Sequence, residues 1–243
     1  MKKSISTQLF YMIRKKTVVV VFLMIMLMVV INCIWYMTNI YGTDITQITD
    51  PYKNSALPRW SPIRYYFMQF YPIILIIPTA DLYYNDKKTK NINYMISRIG
   101  TTSYYVGKVI AVWIITFFIF TIPFILEICA YGIIFPKGFY GDPSKFELYQ
   151  SILDDKYLFL SKIYFKSRFL YSIICILIFG IVSGILSVFN FALSTVKIMK
   201  YRVFTYFPIY LLLFFIGIIS KFMNLSFETN YSVILTLKNT QIM

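Results

Sequence analysis

The chain has 243 residues, 58% of them hydrophobic and 20% aromatic, and carries 24 Lys and Arg against 10 Asp and Glu, a formal charge of +14. Its apolar residues are gathered into long blocks with the charges between them, so membrane orientation explains the basic balance and no nucleic-acid partner is implied. His is absent and the three cysteines, Cys33, Cys129 and Cys175, each lie inside an apolar block, which excludes imidazole catalysis, a Cys/His zinc site and a loop disulfide framework.

A helix needs about 20 apolar residues to cross the hydrocarbon core. Five blocks meet that length: residues 17–38, 63–84, 107–134, 169–195 and 203–222. The expected fold is therefore an all-α polytopic transmembrane bundle forming a single membrane domain over the whole chain. The first block follows a basic start (Lys2, Lys3, Arg14, Lys15, Lys16) and lacks a small-residue cleavage site, so it reads as a retained first span. With the N-terminus cytoplasmic, the inner segments hold 13 basic residues in short loops and the outer segments 11, mixed with most of the acids. Tyrosines at block ends fit an interfacial belt.

Between the second and third blocks lies "NDKKTKNINYMISRIGTTSYYVGK", the longest polar and basic interruption in the front half of the chain. Ile92, Met95, Ile96 and Ile99 recur at i, i+3, i+4 and i+7, which predicts an amphipathic helix over 91–99, too short to cross a membrane. Gly100 to Ser103 then break it, with Ser103 as a good N-cap for the third span. A lipid anchor is the plain reading of such a helix, with Arg98 and the lysines on anionic headgroups.

Inside the third span Glu127 is a deeply placed acid, an expensive residue in lipid that marks either a transport path or a packing contact, and Pro123 four residues before it is expected to bend the helix. The loop 135–168 carries apolar residues from Phe146 to Tyr164 at helical spacing, an expected interfacial helix. The fourth span holds Gly180 and Gly184 four apart with Ser183, Ser187 and Ser194 near the same face, a small-residue stripe for close packing within the chain or against a second copy. Without a His, "GIVSG" is not a serine-protease elbow. Thr102 occupies the place of the first P-loop Gly before Gly107 and Lys108, so no ATP site is read on this chain.

The connection around 81–108 resembles that of the permease subunits of type-2 ABC exporters. In that family an Asp, a Glu five residues later, a Gly-Thr, an apolar run, Ser-Arg-Pro and a Gly-Lys follow one another into the third span. Here Asp81 and Asp86 hold the acidic places, Ser97 and Arg98 the Ser-Arg place, and Gly107 and Lys108 the Gly-Lys place. Asp86 replaces Glu, Lys90 and Asn91 replace Gly-Thr, and Ile99 replaces Pro; the family commonly has six spans, where five are legible here. The resemblance implies that 91–99 is a coupling helix docking on a separate ABC ATPase subunit, in two copies, which holds the ATP and Mg. Asp81, Asp86, Ile92, Met95, Ile96, Arg98 and Lys108 would then carry the coupling. It also implies a second permease copy or paralogue, a bacterial plasma membrane, and an amphipathic cargo of the peptide, antibiotic or lipid-like kind exported by bacteriocin and drug exporters. The alternatives are a non-transporting membrane anchor, assembly or immunity protein acting by partner binding, and a secondary transporter using Glu127, for which no internal repeat is visible.

Overall fold

The computed structural model describes residues 2–42, 62–80, 82–89, 91–134, 163, 166–195, 208–212 and 215. Among the described residues the main helical elements are, in chain order, α1 Lys2–Ile13, α2 Lys16–Ile40, α3 Pro62–Ala80, α4 Leu82–Lys88, α5 Asn91–Ile99, α6 Thr101–Ile134 and α7 Arg168–Ser194. Residues 208–212 are also helical, and no strand occurs among the described residues. The protein is all-helical, and α2, α6 and α7 are long and apolar enough to cross a membrane. They occupy three of the five anticipated apolar blocks. The second block coincides with α3, whose apolar part is the shorter Phe70–Thr79. Most of the fifth block, the loop 135–162, Asp81 and the stretch 197–202 lie outside the described residues.

Helix α2 shows what a lipid-facing helix does with an all-apolar sequence. Val18, Val21, Ile25, Val29, Asn32 and Tyr36 are buried at steps of three or four, the spacing of one helical face. Val19, Val20, Leu23, Leu27, Val30 and Ile34 are exposed. In water that second set would be a liability; against lipid tails it is the expected surface, because hydrocarbon gives such residues no reason to hide. Helix packing in lipid therefore rests on close approach and on interhelical hydrogen bonds, the latter worth about 0.6 to 2 kcal/mol each.

Two compact units divide the chain, the first built from Met1–Ile25, Phe70–Thr121 and Gly180–Phe215, the second from Met26–Gln69, Ile122–Phe179 and Ile216–Met243. In the first, α7 lays a polar stripe on its neighbours: Ser183 shares a hydrogen bond with Tyr71 of α3 at 2.8 Å, Ser187 one with Thr116 of α6 at 2.8 Å, and Asn190 Nδ2 donates to Thr79 Oγ1 of α3 at 3.5 Å. Gly180 and Gly184 lie alongside. A side chain at Gly180 would collide with Thr121 Cγ2 and stand 3.0 Å from the Phe117 ring; one at Gly184 would stand 2.7 Å from the Trp113 ring. Trp113 and Phe117 are stacked, with centroids 5.5 Å apart and planes 13° from parallel, so α6 offers a flat aromatic wall that only glycine can approach. The stripe is thus occupied by packing within this chain.

In the second unit, Phe67 of α3, Phe124 of α6 and Phe179 of α7 meet edge to face with centroids 5.7 to 6.4 Å apart. Tyr36 of α2 meets Tyr131 of α6 in the same way at 5.6 Å. Three helices are pinned by one aromatic cluster, the geometry favoured by ring quadrupoles.

Two details depart from the expectations. Ser103 does not cap the third span, because α6 begins two residues earlier at Thr101. Gly100 makes that possible: its φ of +84° is left-handed, its amide donates to Ile96 O at 2.9 Å to close α5, and its carbonyl accepts from Tyr104 N at 3.1 Å to start α6. Gly100→Ala should lower stability by about 1 to 2 kcal/mol, the cost of a Cβ in that conformation, even though the space around it is open. Thermal unfolding in detergent measures it, with Gly100→Asn expected to cost less. The second departure is α1, a helix before the first span that the basic residues hid. Pro123 is buried within α6, which runs as one helix from Thr101 to Ile134.

Candidate functional site

The site worth building is the start of α6 with α4 and α5. Helix α6 enters at Thr101 with "TTSYYVGK", placing Tyr104 and Lys108 one turn apart on one side of the helix, both completely buried. Against them stands α4, which ends with Asp86, Lys87 and Lys88. Lys87 and Lys88 are exposed, whereas Asp86 is turned inward and 6% exposed.

Asp86 Oδ2 accepts a hydrogen bond from Tyr104 OH at 2.6 Å and pairs with Lys108 Nζ, which also donates to Tyr104 OH at 3.0 Å. The Lys108 ammonium further lies 5.1 Å from the Tyr104 ring centroid and 6.0 Å from that of Phe191 on α7, within cation–π reach. A buried ammonium alone would be very costly; here one carboxylate oxygen gathers both donors and leaves the charge compensated. Asp86 and Lys108, 22 residues apart in sequence, are thus brought together, and Tyr104 completes a three-member latch that the sequence did not single out.

Gly107, beside Lys108, has a separate task. Ser4 Oγ of α1 donates to Ser103 O at 2.9 Å, and a Cβ at Gly107 would stand 2.7 Å from Ser4 Oγ and 3.6 Å from the Ile5 amide nitrogen. So the Gly of the Gly-Lys pair admits α1, and the Lys holds α4.

Helix α5 packs against α4. Ile92, Met95, Ile96 and Ile99 are half-buried on one face, while Asn93, Tyr94, Ser97 and Arg98 are exposed. Arg98 is therefore not part of the latch: its guanidinium lies 4.3 Å from the Tyr94 ring centroid on its own helix. Asp81 lies outside the described residues.

Glu127 belongs to a second cluster. It is 1% exposed, and its Oε1 accepts from Asn32 Nδ2 of α2 at 2.7 Å and from Tyr131 OH at 3.3 Å. The Asn32 bond joins two helices 95 residues apart in sequence, and Asn32 was hidden from sequence reading because a lone Asn in an apolar block carries no pattern. Among the described residues no group of three His, Cys, Asp or Glu comes together, and the three cysteines are free thiols.

These features define an all-helical, membrane-integrated protein in which the short helix α4, with α5 packed on it, is tied to the start of the long helix α6 by a buried ion pair. Compared with family models, curated proteins and solved structures, the chain finds no match.

Proposed function

We propose that this chain is the membrane-spanning subunit of an ATP-driven ABC exporter, with five spans and α5 as the coupling helix on which a separate ATPase subunit acts. The observation that carries this reading is the latch of Asp86, Tyr104 and Lys108. Helix α5 is held at one end by α4, locked through Asp86 to α6, and at the other by the single left-handed residue Gly100 leading into α6. A push on α5 is therefore delivered to the first two turns of α6 instead of being lost in a loop. A lipid anchor needs no such rigid mounting. ATP and Mg belong to the partner, and closure of two ATPase copies would switch a path formed with a second permease copy or paralogue. The cargo class is amphipathic: a peptide, an antibiotic or a lipid-like molecule. The hydrogen bonds of Glu127 to Asn32 and Tyr131 support a helix-fixing role for it over direct contact with cargo.

The test is to tag the protein in its native host, extract it in mild detergent, identify co-purifying polypeptides and assay ATP hydrolysis. A stoichiometric P-loop ATPase is expected, lost when Ile92, Met95 and Ile96 are changed to Asp, and Arg98→Glu should reduce stimulated hydrolysis with the protein still inserted. Recovery of the chain alone, or with a partner lacking a nucleotide site, would turn the assignment to a non-transporting anchor or immunity protein.

A further inference from the structure

Helix α1 turns polar Ser4 and Gln8 inward and, over its second half, apolar side chains outward. Ser4, Gln8 and Met12, at i, i+4 and i+8, are its buried face, fixed to α6 by the Ser4 hydrogen bond. Its outward face carries Phe10, Tyr11 and Ile13, exposed to 58%, 45% and 58%. A helix lying in water would show the opposite arrangement. The basic residues border this apolar face instead of standing apart from it: Arg14 has its guanidinium 4.0 Å from the Phe10 ring centroid, and Arg14 and Lys16 are both exposed.

Position along the chain fixes what can cover such a face. Helix α1 ends at Ile13 and the first span begins at Lys16, so Arg14 and Lys16 stand where the chain enters hydrocarbon. Through residue 43 the sequence contains five basic residues and no acid, the first being Asp44. The counter-charge nearest to hand for a cation at that boundary is a lipid phosphate.

We infer that α1 and the Arg14–Lys16 turn form a binding surface for anionic phospholipid, with Phe10, Tyr11 and Ile13 among the upper acyl carbons and Arg14 and Lys16 on the phosphodiesters. Amphipathic interfacial helices bind by that combination of apolar burial and charge. The inference does not depend on the ATPase reading, since it uses neither α5 nor the latch.

The experiment uses the full chain purified in mild detergent and titrated with phosphatidylglycerol or phosphatidylcholine, reading bound lipid by native mass spectrometry and the shift in thermal unfolding. Phosphatidylglycerol should bind tighter than phosphatidylcholine. In the variant Arg14→Gln/Lys16→Gln its affinity should fall about 25-fold, about a factor of five for each surface cation removed. Lys87→Gln/Lys88→Gln, which removes two exposed cations elsewhere, should retain it, as should Arg14→Lys/Lys16→Arg, which guards against a folding defect. Phe10→Ser should weaken both lipids alike. Equal affinity for the two lipids, equal loss in the Lys87/Lys88 variant, or displacement by soluble glycerol phosphate at matched concentration would overturn the assignment; the last would make the site one for a free phosphoester.

Discussion

Lys108→Met is expected to lower the stability of the detergent-solubilised protein by about 3 to 5 kcal/mol, the cost of leaving one member of a buried ion pair uncompensated. The carboxylate of Asp86, 6% exposed, would keep only the Tyr104 hydroxyl. The same argument predicts that Lys108→Met/Asp86→Leu recovers most of the loss, because a buried pair replaced by apolar residues of similar volume is often neutral or better. Unfolding followed by tryptophan fluorescence, with Tyr104→Phe as a third position in the cycle, separates the ionic from the hydroxyl contribution. A single variant costing under about 1 kcal/mol would mean that the latch is dispensable. On the proposed function the double variant is the informative one: folded and inserted, yet with stimulated ATP hydrolysis reduced, because α4 would sit on α6 without directional contacts.

Gly180→Ala is expected to cost about 1 to 3 kcal/mol, the usual penalty of forcing atoms into a filled contact. The added methyl would meet Thr121 Cγ2 and the edge of Phe117, both on a helix pinned by neighbouring contacts. Removing the obstacle tests the cause: Thr121→Ala deletes the colliding methyl, so Gly180→Ala/Thr121→Ala should be closer to the native protein than the sum of the two single changes. Strict additivity would show that the glycine is not there for α6. A second copy seated on this stripe would instead make the cost depend on protein concentration, which SDS unfolding at two concentrations measures.

What the sequence made legible follows the physics of lipid. Long apolar blocks identify α2, α6 and α7 with ends within two residues, except that α6 starts six residues before its block, at Thr101, since hydrocarbon demands length and composition and little else. The face each block buries was not legible: Val18 and Val19 are chemically identical neighbours, one buried and one exposed. The short α5 was legible because it lies where polarity alternates, and Ile92, Met95, Ile96 and Ile99 do share its half-buried face. Asp86 and Lys108 could be singled out by type and place, but Tyr104 was one tyrosine among 22. Arg98, singled out with them, turns to Tyr94 instead. The stripe at Gly180 and Gly184 was visible as a pattern; that its occupant is the Trp113 and Phe117 wall needed three dimensions. Helix α1 was missed because two of its buried positions, Ser4 and Gln8, are polar while Phe10, Tyr11 and Ile13 are exposed, against the pattern that sequence reading looks for.

The order of residues in the latch has a bearing on how the protein is made. Synthesis runs from the N-terminus, so Asp86 is made, and leaves the ribosome, ahead of Lys108, which follows it by 22 residues. The carboxylate emerges ahead of the ammonium, and the pair can close within a local hairpin of α4, α5 and the first turns of α6 without any segment made later. Glu127 has the same arrangement on a longer scale, its partner Asn32 having been made 95 residues before it. In both cases the costly group arrives second, to a partner already waiting, and no nascent span need hold a bare charge in lipid while its complement is still untranslated.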